Sequence, residues 1–145
     1  MKKLLLILLC VPLMFSCGEE NKEKNEDKDN TDVINDKINE EEIQKKEGIA
    51  YYNNRLFSGE GYRNYENGEL QLTRNYLNGV RHGIERYWLE NGQLFTEKEF
   101  NQGVHHGISK MWYPSGQLLH ELYSEYGKII SMRCWDEEGN KIECR

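Results

Sequence analysis

A repeat of 24 residues runs through the C-terminal two-thirds of the chain and limits the folds open to it. The dipeptide Asn67-Gly68 recurs as Asn91-Gly92, Ser115-Gly116 and Glu138-Gly139, at spacings of 24, 24 and 23 residues. Asn-Gly between aromatic and β-branched residues is a strong signal for a β-hairpin closed by a type I′ turn. Two strands and two turns fill about 24 residues. The repeat therefore predicts successive hairpins that share their faces and stabilise one another.

A second glycine series marks the connections between hairpins. Gly79, Gly103 and Gly127 are also 24 residues apart, and the segment from Asn78 to Gly83 carries two glycines. This segment is predicted to be a longer connection than the Asn-Gly turns. The glycines predicted to have a structural role in turns are Gly68, Gly92, Gly116, Gly139, Gly79, Gly103 and Gly127.

Aromatic residues recur in phase with the turns. Trp88, Trp112 and Trp135 each lie four residues before a turn glycine. Alternation along the strands places aromatic residues on both faces, and a single-layer sheet cannot bury both. An exposed row of large rings is a natural contact surface. The alternative is that the rings stack on one another between repeats. The predicted binding surface consists of Trp88, Trp112, Trp135, Tyr87 and Tyr113.

The pattern from Tyr87 to Leu94, followed by Phe100-Asn101-Gln102-Gly103 and His106-Gly107, resembles the bacterial MORN-repeat variant. This family includes proteins known as YwqK-like antitoxin components. The resemblance covers roughly residues 50–145, and it implies an all-β fold: an elongated antiparallel sheet of successive hairpins. It also implies membrane or protein contact and no common catalytic activity. Lys141 replaces the expected leucine in the fourth unit, as in an atypical capping repeat.

The N-terminus has the pattern of an export signal. Lys2 and Lys3 precede an apolar run from Leu4 to Leu13, which is too short for a comfortable membrane span. Ser16-Cys17 at its end resembles the processing box of bacterial lipoproteins. That resemblance implies cleavage before Cys17 and acylation of this cysteine, with membrane attachment through the lipid. By the same resemblance, the lack of Asp at position 18 favours the outer membrane over the inner membrane.

Residues 18–47 contain twelve acidic residues and six lysines, without aromatic residues or proline. Such a segment is predicted to be a solvated tether, disordered or partly helical, with a short helix possible over residues 32–46. The predicted organisation is a signal peptide at 1–16, the acylated cysteine and charged linker at 17–47, and a repeat domain at 48–145. Removal of the linker is expected to leave folding unchanged.

Cys134 and Cys144 flank the last turn and form a possible disulfide, since exported compartments permit such bonds. A three-residue loop centred on Gly139 would place the two cysteines directly opposite each other. A two-residue turn would instead pair Cys134 with Glu143. The sequence leaves both registers open.

No constellation of residues indicates catalysis, a metal or a cofactor. His82 and His106 occupy the same repeat position, and no carboxylate or cysteine recurs beside them at ligand spacing. Without residues 1–16 the chain has 17 basic and 25 acidic residues, a net charge of −8, which argues against nucleic acid as a partner. The favoured function is a membrane-anchored module that binds a protein or an envelope component and is not an enzyme. An antitoxin or immunity component and an unrecognised envelope enzyme are the alternatives.

Overall fold

The computed structural model describes residues 37–144, which form two β-sheets and no helix. Predicted features at residues 1–36, including the signal peptide and Cys17, lie outside the described residues. The strands are β1 Lys37–Asn39, β2 Gln44–Lys46, β3 Ile49–Tyr52, β4 Arg55–Leu56, β5 Gly59–Asn64, β6 Leu70–Leu77, β7 Val80–Trp88, β8 Leu94–Asn101, β9 Val104–Trp112, β10 Leu118–Glu125, β11 Lys128–Trp135 and β12 Lys141–Ile142.

The main sheet has nine strands in the order β1-β5-β6-β7-β8-β9-β10-β11-β12. From β5 to β12 each strand pairs antiparallel with the next in the chain, so the predicted sheet of successive hairpins is confirmed. The short strand β1 is the exception, because it pairs parallel with β5. A second sheet contains β2, β3 and β4.

The tight turns and the longer loops are exchanged between the two glycine series relative to the prediction. At Asn67-Gly68 the Gly68 amide donates to the Tyr65 carbonyl at 3.0 Å, and the Tyr65 amide donates to the Glu69 carbonyl at 2.8 Å. Within this pair only Gly68 has a positive φ, at 89°. The turn is therefore a three-residue loop with one left-handed glycine, and the prediction of a type I′ turn there is wrong. The Asn67 Oδ1 accepts the Glu69 amide at 2.9 Å, which accounts for asparagine at this position.

The tight two-residue turns lie in the second series instead. Leu77 pairs with Val80 across Asn78-Gly79, whose φ angles are 50° and 81°. Both angles are positive, as a type I′ turn requires. The extra residues that suggested a longer connection belong to β7 itself, where Gly83 lies in an irregular stretch of the pairing with β6. Gln102-Gly103 and Tyr126-Gly127 repeat the tight turn.

The buried core lies at the N-terminal end of the main sheet. Ile43, Ala50, Phe57 and Tyr76 form one cluster, and Phe57 is 1% exposed. The second sheet is hydrogen-bonded to the turn of β6 and β7, because the Ala50 amide donates to the Gly79 carbonyl at 2.7 Å. The small sheet thereby covers one face of the first hairpin.

The predicted linker overlaps this core. Ile43 is 5% exposed and Glu40 is 8% exposed, although both lie within residues 17–47. The domain boundary predicted at residue 48 must therefore move toward the N-terminus, and residues 37–47 are part of the folded unit. The helix considered over 32–46 is wrong for the described part, where β1 and β2 lie. Gly61 on β5 has no side chain, and this leaves the space in which Glu40 and Ile43 pack.

Glu40 is held by a polar cluster on the same face. Its Oε1 atom accepts the Tyr76 hydroxyl at 2.8 Å, and its Oε2 atom contacts Lys45 and lies 3.4 Å from a guanidinium nitrogen of Arg74. Burial raises the pKa of the Tyr76 hydroxyl. The hydroxyl therefore stays protonated and donates to Glu40, which offsets the desolvation of the buried carboxylate.

Cys134 and Cys144 form a disulfide, with 5.4 Å between their Cα atoms. Both predicted registers are wrong, because Cys134 pairs with Ile142 and Trp135 pairs with Lys141. Cys144 lies two residues beyond Ile142 and so has its side chain on the same face as Cys134. The bond consequently joins a diagonal pair rather than a directly opposed pair.

Candidate functional site

The five aromatic residues predicted as a binding surface are all half-buried. The Tyr113 hydroxyl donates to the Trp135 carbonyl at 3.2 Å, and the Tyr65 hydroxyl donates to the Trp88 carbonyl at 2.7 Å. Among the described residues none of the three tryptophans forms a ring pair, whereas Tyr87 packs edge-on to Phe95 at 6.3 Å. Tyrosine hydroxyls rather than stacked tryptophans therefore connect one hairpin end to the next.

Several exposed large apolar residues lie on the last two strands instead. Ile129, Ile130 and Met132 on β11 are 58%, 52% and 40% exposed, and Ile142 on β12 is 44% exposed. We call these four residues the terminal apolar patch. Single exposed apolar residues are ordinary, whereas three on one edge strand and a fourth on its short neighbour favour a contact surface. The sequence signal for it is the dipeptide Ile129-Ile130, which lies outside the pattern of repeated aromatic residues.

The outer edge of β11 is open along most of its length. Strand β12 pairs only with Cys134 and Trp135, although β11 extends back to Lys128. On that side the backbone of residues 128–133 therefore has no partner strand among the described residues. An open edge presents unpaired amide and carbonyl groups to any extended segment that approaches it.

A groove of about 320 Å³ crosses one face of the sheet from β8 to β11. Its floor includes Ser109 and Ser124, which are 6% and 2% exposed. Its lining includes the basic side chains of Lys98, His105 and His120 and the apolar side chains of Met111, Leu122 and Ile129. No carboxylate from the described residues lines the groove.

Lys98 is a basic residue of this groove, and it lies directly opposite Glu85 across β7 and β8. Among the described residues it has no ion pair, whereas Lys110, which also contributes to the lining, lies 3.6 Å from a carboxylate oxygen of Glu121. Burial lowers the pKa of His105 below its ordinary value of 6.5, and the charge of Lys98 lowers it further. Burial and Lys98 lower the pKa of His120 in the same way. The neutral form of both imidazoles is therefore favoured at pH 7, and Lys98 is the lining cation without an ion pair among the described residues.

The repeat histidines have a different environment. The Nδ1 atoms of His82 and His106 are buried without a hydrogen-bond partner among the described residues. The ring of His106 packs against Tyr126 at 5.2 Å. Within residues 37–144 no three or more His, Cys, Asp or Glu side chains are grouped so that they could hold a metal ion.

The described part of the chain contains no helix long and apolar enough to cross a membrane. No curated protein matches the sequence. A family model does match it, over residues 58–78, 81–102 and 106–126, and each matched segment spans one hairpin of the main sheet. Its description is MORN repeat variant, and the hairpins β5–β6, β7–β8 and β9–β10 are each similar to the repeat that it describes.

Proposed function

We propose that this protein is a membrane-tethered binding module that captures a protein partner by adding a strand to the open edge of β11. MORN repeats suggest a repeat module for binding, and the observation that carries the finer proposal is the edge itself. Residues 128–133 combine unpaired backbone with the exposed side chains of Ile129, Ile130 and Met132.

Strand addition uses both features of the edge. The backbone groups of the partner segment would supply affinity through hydrogen bonds, and alternate side chains would supply specificity through apolar contact. The Cys134–Cys144 disulfide supports this arrangement, because it holds Cys144 beside Cys134, at the opposite end of β11 from Lys128. The favoured partner segment is extended and apolar.

The tether is proposed on the sequence of the N-terminus. Acyl groups on Cys17 would anchor the protein durably, since each buried lipid methylene contributes about 0.8 kcal/mol. The outer membrane is the proposed location. An antitoxin or immunity role is the narrower form of this proposal in which the partner is a toxin, and it keeps the same binding surface.

The anchor is tested by metabolic labelling with a palmitate analogue. The full chain should be labelled, and Cys17→Ala should be unlabelled and keep residues 1–16. Normal labelling of that variant would contradict acylation at Cys17.

The binding surface is tested by capture of partners from envelope extracts, followed by hydrogen exchange of the complex. Ile130→Lys should weaken capture about 10-fold or more, because a charged residue on an edge strand opposes pairing. Leu77→Lys is the matched control, since Leu77 is 41% exposed on β6, which is paired on both sides. Exchange protection should increase at residues 128–133. Equal loss in both variants, or protection confined to the strands around Trp88 and Trp112, would refute the proposed edge.

A further inference from the structure

The groove between β8 and β11 lies where the third repeat departs from the second. Where the first repeat meets the second, Arg74 on β6 pairs across the strands with Glu85 on β7, and their side chains form an ion pair. One repeat of 24 residues later the cross-strand pair is Lys98 and Ser109. The basic residue is kept, but a serine replaces the carboxylate that neutralises it.

A second departure creates the space. Phe100 is 3% exposed, with the Arg81 guanidinium 4.3 Å from its ring centroid and the His105 ring at 4.4 Å. The residue 24 positions later is Ser124, which is also buried, and it pairs with Ile129 as Phe100 pairs with His105. Serine is much smaller than phenylalanine, so the same site in the third repeat is concave.

We propose that this groove binds a carboxylate carried on an aromatic or apolar stem. The carboxylate would pair with Lys98, as Glu85 pairs with Arg74 one repeat earlier. The stem would lie above Ser124, in the position of the Phe100 ring, against Leu122 and Ile129. The ligand would thus provide a carboxylate in place of the Glu85 side chain and an apolar or aromatic group in place of the Phe100 ring.

The acids of the neighbouring strands are already engaged. The Glu85 carboxylate contacts Arg74 and lies 3.6 Å from Arg81, and the Glu97 carboxylate is 2.7 Å from Arg86. Lys98 is half-buried, so a carboxylate beside it is screened less than on an open surface. A charge-assisted hydrogen bond is about twice as strong as a neutral one. These conditions favour an anion over an uncharged ligand of the same shape.

The groove lies on the face of the sheet and is distinct from the proposed partner edge: Ile129 borders both, but ligand binding in the groove depends neither on Ile130 nor on acylation of Cys17. The two can fail separately. Ile130→Lys is expected to leave the affinity of the groove for its ligand unchanged.

The test is titration of the protein with 4-phenylbutyrate, followed by the imidazole resonances of His105 and His120 in NMR spectra. A ligand of this size binds a groove with a Kd on the order of 1 mM. The uncharged 4-phenylbutanamide should bind about 10-fold more weakly. The capped dipeptide acetyl-Glu-Phe-amide also presents a carboxylate and an aromatic ring. Tighter binding of the dipeptide would assign the groove to a peptide. Tighter binding of 4-phenylbutyrate would assign it to a small molecule.

Three substitutions test the site itself. Lys98→Gln removes the cation, and Ser109→Glu restores the internal carboxylate, so both should weaken 4-phenylbutyrate about 10-fold or more. Ser124→Phe should refill the space, and the first two variants decide the question if this one fails to fold. Lys141→Gln is the control, because Lys141 is exposed on β12. Equal affinity for the acid and the amide, no saturable shift up to about 10 mM, or unchanged binding in both Lys98→Gln and Ser109→Glu would overturn the inference.

Discussion

Gly79→Ala is expected to destabilise the protein far more than Gly92→Ala, although the two glycines have nearly the same φ angle, 81° and 80°. The left-handed conformation is less favourable for alanine by about 1–2 kcal/mol. Reduced freedom of the unfolded chain returns about 0.4–1 kcal/mol. A Cβ atom at Gly92 would have no atom within 4 Å, so the net loss there is about 0.5–1 kcal/mol.

At Gly79 a steric effect is added to the strain of the backbone. A Cβ atom would lie 2.6 Å from the Cγ2 atom of Ile49 and 2.9 Å from the carbonyl oxygen of Ala50. That oxygen accepts the Phe57 amide at 3.0 Å, so it cannot move without disturbing the core. Overpacking of this kind costs about 1–3 kcal/mol, which brings the expected total to about 2–4 kcal/mol.

Thermal unfolding followed by circular dichroism measures the difference. With about 4–8 °C per kcal/mol for a domain of this size, Gly92→Ala should lower the midpoint by about 2–8 °C. Gly79→Ala should lower it by about 8–32 °C. Equal shifts in the two variants would refute the docking of the β6–β7 turn on β3, because only that contact separates them.

Ile43→Ala should lower the free energy of unfolding in urea by about 2–5 kcal/mol, since Ile43 is 5% exposed in the core. An unchanged midpoint would show that residues 37–47 are a solvated linker. The Cys134–Cys144 bond closes only a short loop, so its reduction should destabilise the last hairpin by about 2–3 kcal/mol. Hydrogen exchange would detect this as faster exchange in β11 and β12 alone. Folding lowers the pKa values of His105 and His120, so below about pH 6.5 the unfolded state binds more protons than the folded state. The free energy of unfolding should therefore fall as the pH drops from 6.5 through the pKa values of the folded state. Replacing both histidines by glutamine should flatten this dependence between about pH 7 and 5.5, and an unchanged slope would show that other groups cause it.

The hairpin architecture could be predicted because it depends on short-range signals. Glycine spacing and alternating aromatic residues report on segments of about 24 residues, and the pairing of neighbouring strands follows from them. The conformation of each turn could not be predicted. Asn67-Gly68 and Asn78-Gly79 contain the same dipeptide, yet only the second forms the type I′ turn. The difference depends on how many flanking residues pair, which the dipeptide does not encode.

The N-terminal limit of the folded unit was also beyond sequence reasoning. Residues 37–47 are polar and charged, and local composition favours a solvated segment. In the structure Ile43 and Glu40 gain buried partners from residues far along the chain, among them Tyr76. Such contacts override local preference, because burial of one isoleucine contributes more than the small differences in propensity along a short segment.

By itself the sequence determined the repeat, its period, the all-β class and the positions where backbone had to turn. Only the tertiary structure decided which surfaces remain available. The replacement of Phe100 by Ser124 one repeat later is visible in the sequence, but its meaning depends on the register that places Lys98 opposite Ser109. The open edge of β11 likewise follows from the two-residue length of β12. Periodicity is a property of the chain, whereas exposure and charge balance arise from which side chains the folded sheet brings together.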